Sequence, residues 1–134
     1  MTPHRFLLRV YYEDTDLAGI VYYANYLRFI ERARTEWLRD LGIDQSALKA
    51  ESGLVFMVRR CSVEYVSPAR MDDVLTVETT LGRLGGASLH LSQTVKRAET
   101  VLADAAVVVA CVTDRGTPTR LPERIRLSLQ TAES

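Results

Sequence analysis

No stretch of the sequence reaches the roughly 18 apolar residues of a membrane-spanning helix, so none is expected. Cysteine is scarce. The two present, Cys61 and Cys111, lie far apart in apolar, strand-like runs and form no CxxC pair. They read as buried free thiols rather than a disulfide. The histidines, His4 and His90, are equally scattered, so the four ligands of a zinc site are missing. Each reads as a surface or satisfied side chain. Neither sign of charge is in excess, 17 Lys and Arg against 17 Asp and Glu. That excludes the global field that draws a protein to nucleic acid or an anionic membrane. The opening MTPHRFLLRVYYEDTD has no apolar core long enough for a secretory signal. These absences together point to a reduced, cytoplasmic setting. There is no repeat, linker or low-complexity tract. There is also no GxSxG elbow, P-loop or dinucleotide fingerprint; Gly82, Gly85 and Gly86 read as a hairpin turn.

What is present suits a folded globule. The 134 residues are 47% hydrophobic and 25% charged, enough for one domain, 1–134, with a real core. Residues 5–12 are apolar and aromatic and suit a first strand. Residues 13–21 carry turn formers. From about Tyr23 the period changes. Tyr26, Ile30, Ala33, Trp37 and Leu41 form the apolar stripe of an amphipathic helix of about 18 residues. Arg28, Glu31, Arg32, Glu36 and Arg39 make its wet face, with Arg32 and Glu36 at i, i+4. Gly42 is a natural stop, and a shorter helix suits 44–51. Four strand-like segments follow, 55–66, 74–81, 87–97 and 101–113, the last apolar on both faces and so central. Short connections favour antiparallel neighbours. The class is α+β, one long helix against one antiparallel sheet. The tail beyond Pro122 suits a last short helix or strand.

The densest polar cluster is Tyr11-Tyr12-Glu13-Asp14-Thr15-Asp16, just before the long helix. One reading is a turn whose Asp side chains cap backbone groups. A calcium loop fails, because Ala18 and Asn25 fall where its fifth and twelfth ligands belong. The other reading joins the acids to the helix start. Unpaired N–H groups there can polarise a carbonyl and stabilise an oxyanion. An ionised loop carboxylate beside them can act as base or nucleophile on an activated acyl group. The aromatic run Tyr22, Tyr23, Tyr26 and Phe29 is open between core packing and contact with an aromatic acyl group.

The segment VYYEDTDLAGIVYYANYLRFIERARTEWLR resembles the signature of hotdog-fold acyl-CoA thioesterases, in the 4-hydroxybenzoyl-CoA thioesterase-like group. The VYYEDTD, ERARTE-LR, VEY-PAR-DD and SL-Q segments are most similar to the bacterial Tol-Pal system-associated acyl-CoA thioesterase branch, over residues 8–122. The resemblance implies a long central helix wrapped by a five-to-six-stranded antiparallel sheet. It implies hydrolysis of an acyl-CoA thioester to a free acid and coenzyme A, with no metal or other cofactor. The catalytic carboxylate falls on Asp16 and the helix-start amide on Tyr23, with Tyr12 near the carboxylate. Gly19 and Tyr22 fall in the substrate-binding region, as do Ser88 and Arg83. Sites in this fold form between paired subunits, so the resemblance implies a homodimer, assembled further into a homotetramer. Acyl carrier protein is an alternative carrier of the thioester, and a binding module with little turnover is the alternative function. A hotdog dehydratase would need a helix histidine, and residues 22–41 have none. Two positions depart from the branch. Tyr23 stands where it has His, which removes a side-chain role and leaves the backbone N–H. The hairpin reads Gly85-Gly86-Ala87 where relatives carry Arg or Lys, so phosphate contacts are fewer. Arg59, Arg60 and Arg70 are substitute cations or solvated surface residues.

Overall fold

The stripe that begins at Tyr26 forms helix α1 (Asn25–Asp40) in the computed structural model, which describes residues 2–133. Tyr26, Phe29, Ile30, Ala33, Trp37 and Leu38 are buried along it. The helix starts two residues later than the change of period at Tyr23 suggests. The Tyr22 N–H is taken by the Asp14 carbonyl at 2.9 Å, which holds residues 22–24 as a turn ahead of the first helical residue. On its wet face Glu36 pairs with Arg39 at 2.6 Å, not with Arg32 as the spacing suggests. Helix α2 (Gln45–Ser52) is capped by the Asp44 side chain, which accepts the Ala47 N–H at 3.1 Å. It ends at Gly53, whose φ of 68° suits a residue without Cβ.

The strands are β1 (His4–Arg9), β2 (Leu54–Tyr65), β3 (Val74–Leu84), β4 (Ser88–Arg97) and β5 (Thr100–Thr113). They form one antiparallel sheet in the order β1-β3-β4-β5-β2. Helix α1 packs on one face. In β3 the residues turned to it, Leu75, Val77, Thr79 and Leu81, are buried, and they alternate with half-buried Thr76, Glu78 and Thr80. The fifth strand lies between β4 and β2, an interior place in the sheet that suits its apolar run. Outside the core, Glu78 binds Lys96 at 3.0 Å and Arg5 at 3.2 Å, linking β3 to both neighbours. The Lys96 hydrogen bond, with the Arg5 one, outweighs burial and holds the Glu78 carboxyl below the usual glutamate range.

Several sequence expectations need correcting. The first strand stops at Arg9, because the Val10 N–H bonds the Asp73 carbonyl and residues 12–14 turn into a single 3-10 turn. Gly82 lies inside β3, at a shift in register between Leu81 and Arg83, not in the hairpin turn. Cys61 is exposed, because it sits on the edge strand β2; Cys111 in β5 is buried, and both thiols are free. His4 is not fully satisfied. Its Nε2 meets Asp40 at 2.7 Å, while its buried Nδ1 has no partner among the described residues. The tail forms helix α3 (Glu123–Gln130), anchored by Ile125 and Leu129. Among the described residues, no helix is long and apolar enough to cross a membrane.

Register fixes which ends of the elements meet. Arg9 lies opposite Val74, and Tyr65 opposite Ala103. The end of β1, the start of β3, the end of β2 and the start of α1 therefore share one end of the molecule. Leu54, Leu84 and Ser88 lie at the other.

Candidate active site

The acidic loop is built mostly by its own backbone. Asp14 caps the 3-10 turn, its side chain accepting the Tyr11 N–H at 2.8 Å. The Tyr12 carbonyl accepts both the Thr15 N–H (3.0 Å) and its hydroxyl (2.7 Å), while the Tyr12 ring itself is exposed. Thr15 then bridges to Val21, closing a short loop whose tip runs from Asp16 to Gly19. Inside it the Asp16 N–H bonds the Ile20 carbonyl at 2.9 Å, and the Gly19 N–H bonds the Asp16 carbonyl at 2.9 Å. Gly19 has φ of 79°, a conformation that favours glycine. One Asp16 carboxylate oxygen accepts the Ala18 N–H at 2.9 Å; the other has no protein partner among the described residues, and the side chain is exposed. The turn-capping reading therefore accounts for part of this cluster. Asp14 and one oxygen of Asp16 serve the loop, and the second oxygen is free.

The loop is fastened to the start of α1. The Asp14 carbonyl accepts the Tyr22 N–H and the Asn25 side-chain amide, each at 2.9 Å. Val21 is held from the other side by the Ala69 carbonyl at 2.8 Å. Ahead of the helix no side chain caps the first turn. Among the described residues the N–H groups of Tyr23 and Ala24 have no acceptor. A free carboxylate oxygen and a pair of unused backbone donors thus sit on one short, cross-braced segment.

Aromatic rings line the cleft beside it. Tyr65, at the end of β2, donates its hydroxyl to the Tyr23 carbonyl at 3.2 Å. Its ring meets Tyr23 edge-on at 5.9 Å and Tyr26 at 5.5 Å. Burial pushes the Tyr26 and Tyr65 hydroxyls above the usual tyrosine range. The aromatic run divides: Tyr26 and Phe29 belong to the core, whereas Tyr22 (46% exposed) and Tyr23 (61% exposed) do not. A cavity of about 280 Å³ opens between Ile20, Tyr23, Tyr26, Tyr65 and Pro68. The sequence singled out neither Asn25 nor Tyr65 for a role. The only signal for Tyr65 was its place in the VEY segment.

Within one chain the structure does not bring Ser88 or Arg83 to this loop. Both lie near the far end of β3, on the order of 30 Å along the strand from Val74. At the hairpin, Gly85 leaves no room for a side chain: a Cβ there would meet the Ser88 hydroxyl at 2.6 Å. Its cations come from the C-terminal segment. Arg126 donates to the Gly85 and Gly86 carbonyls at 2.9 and 2.8 Å, and Arg120 approaches Gly86. No cluster of three His, Cys, Asp or Glu side chains able to hold a metal occurs among the described residues.

Known proteins share this fold. Residues 10–129 match the model of the thioesterase-like superfamily. The chain is 47% identical to the acyl-CoA thioester hydrolase YbgC of Escherichia coli, over 92% of this chain and 93% of that one. It is 44% identical to the acyl-CoA thioesterase YbgC of Haemophilus influenzae, over 90% of each. The crystal structure of a probable thioesterase from Bartonella henselae superposes with a TM-score of 0.85 at 41% identity, over 90% of this chain and 99% of that one. The α+β arrangement is the hotdog fold that the sequence resemblance implied, here with five strands. On this match the chain belongs to the thioesterase-like superfamily.

Proposed function

We propose that this protein hydrolyses acyl-CoA thioesters to free acid and coenzyme A, at the junction of the Asp16 loop and the start of α1. The observation that carries this is the bracing of a half-used carboxylate to two unused helix-start donors through the Asp14 carbonyl. The Tyr23 N–H, with Ala24 beside it, receives the thioester carbonyl oxygen and stabilises the charge that develops there. The free oxygen of Asp16 either attacks the carbonyl carbon, giving an anhydride that water then opens, or takes a proton from an attacking water. In the first route coenzyme A leaves as the thiolate and takes its proton from solvent; in the second the leaving sulfur takes the proton that Asp16 removed from water. Tyr65 holds the Tyr23 carbonyl and so steadies the turn that carries the donors. The activity of the YbgC relatives supports the same reading. Steady-state release of free thiol from short, long and benzoyl-type acyl-CoA thioesters is the test. Turnover of at least one is expected; turnover of none, with acyl carrier protein thioesters also untouched, overturns the reading.

The site is completed by a second copy. Strand β2 is an edge of the sheet, 12 residues long, and it exposes Met57 and Val58. Such an edge invites pairing. Antiparallel pairing of two β2 edges sets the Leu54 end of one against the Tyr65 end of the other. The partner subunit's hairpin then faces this chain's Asp16 loop, which puts Ser88, Arg83 and the C-terminal arginines within a coenzyme-binding region. Sedimentation should give two chain masses, or four if dimers pair again; a single chain mass rules the arrangement out. The reading carries with it a cytoplasmic setting, in which Cys61 and Cys111 stay reduced.

A further inference from the structure

Arg34 is a guanidinium drawn out of water without a carboxylate to meet it. It lies on α1, and its Nη1 donates to the Gln93 Oε1 at 3.0 Å. Among the described residues no acid comes within ion-pair distance. Burial pulls its pKa below the usual arginine value, opposed by the Glu31 carboxylate. A guanidinium carries five donors, and no nitrogen of Arg34 is a buried, unpartnered atom. Its remaining N–H groups therefore reach open space. That space is a cavity of about 250 Å³, whose walls include Phe56, Val58, Leu91 and Val109, with Glu31 and Thr35 at the helix side. Glu31 is exposed and accepts the Thr35 hydroxyl at 3.2 Å.

The cavity lies along the same helix and the same strand as the aromatic cleft, further from the Asp16 loop. Leu27, Ile30, Arg34 and Leu38 follow one stripe along the helix, which Tyr23 precedes in the turn before it. Opposite them on β2, the residues in register with inward-facing Cys111, Val109, Val107 and Ala103 are Phe56, Val58, Cys61 and Tyr65. Cys61 lies between Val58 and Tyr65 along β2, and so between the two cavities on that strand. Arg34 is about two and a half helical turns from the first residue of α1, Asn25, on the order of 14 Å along the axis. A helical side chain leans back toward the N-terminus of its helix, which brings the guanidinium nearer to the thioester end.

We propose that this cavity is the inner end of the acyl-binding cleft and that Arg34 receives there an anionic terminus, so that the preferred substrate is a medium-length acyl group ending in a carboxylate. The inference rests on the hydrolase reading above. A short acyl group would not reach, and a neutral chain of equal length would leave the guanidinium unpaired. The apolar walls suit the methylenes between the two ends.

The test compares suberoyl-CoA with octanoyl-CoA, equal in chain length and differing in the distal carboxylate. The wild type should favour suberoyl-CoA by about tenfold or more in kcat/KM, the size of a charge-assisted contact. Arg34→Met should abolish or reverse that ratio, and Arg34→Lys should keep part of it. If Arg34→Met does not fold, the wild-type ratio and Arg34→Lys decide. Equal or better turnover of octanoyl-CoA by the wild type overturns the inference while the hydrolase reading stands. If no thioester is turned over, the hydrolase reading fails and calorimetry decides the inference. Suberate binding that octanoate does not match, and that Arg34→Met loses, upholds it. No binding of suberate, the result expected if a partner subunit's carboxylate already occupies Arg34, overturns it.

Discussion

Asp16→Asn is expected to lower kcat for thioester hydrolysis by about 100-fold or more, some 2.7 kcal/mol of transition-state stabilisation. An amide is neither a base nor a useful nucleophile, so both routes for Asp16 fail together. The loop should survive the change. The carboxylate oxygen that accepts the Ala18 N–H at 2.9 Å is replaced by an amide oxygen able to do the same. Asp16 is exposed and makes no ion pair among the described residues, so no buried partner is left uncompensated. The melting temperature should therefore match the wild type while the rate falls, and that divergence separates a chemical role from a structural one. Residual turnover above the uncatalysed rate should persist, because the backbone donors of Tyr23 and Ala24 are untouched. An unchanged kcat would remove Asp16 from the chemistry. A wild type that binds acyl-CoA but turns over none would instead mark a binding module.

The parts of this fold that were legible in the sequence are those where one face is buried and the other is not. The stripe through Tyr26, Ile30, Ala33 and Trp37 and the alternation of Leu75, Val77 and Leu81 both encode a side facing the core, so helix and strand follow from periodicity. The acidic loop was legible as a motif, since three acids before a helix start are conspicuous whatever their partners. What holds the loop in place was not legible. The Asp14 carbonyl that receives Tyr22 and Asn25 is main chain, and the sequence does not say which carbonyl will be used. Tyr65 reaches Tyr23 across 42 residues and Arg126 reaches Gly85 across 41, separations at which local pattern carries no information. Cys61 was misread for a related reason. An apolar neighbourhood on a strand implies burial only if the strand has neighbours on both sides, and β2 has one. The choice of Arg39 over Arg32 by Glu36 follows the same logic, since both spacings are permitted on a helix and rotamers decide.

Gln93→Leu should destabilise the protein by about 3 kcal/mol, read from the shift of the chemical denaturation midpoint. Gln93 is fully buried, and all its polar atoms are engaged. Its amide donates to the Ile30 carbonyl at 2.8 Å and to the Thr79 hydroxyl at 3.0 Å, while its oxygen receives Arg34. Leucine fills much of the volume but leaves the half-buried guanidinium and the buried hydroxyl unanswered. The Ile30 carbonyl suffers less, because its place inside α1 gives it a helical N–H as well. Removing the charge along with its acceptor should recover a large part of the loss. Arg34→Met with Gln93→Leu is therefore expected to be less destabilising than the sum of the single changes by about 1 kcal/mol or more, as for any pair in direct contact. Strict additivity would mean that the two side chains do not depend on each other. Coupling of the expected sign has a consequence for function. If an apolar pair packs this position nearly as well as the polar one, stability does not account for a guanidinium held beside α1 with donors to spare. What does account for it is a group that arrives from outside the chain. Gln93 is then the residue that aims Arg34 at the cavity, and loss of the Gln93 contact should erode the preference for a carboxylate-ended acyl group before it erodes turnover of a neutral one.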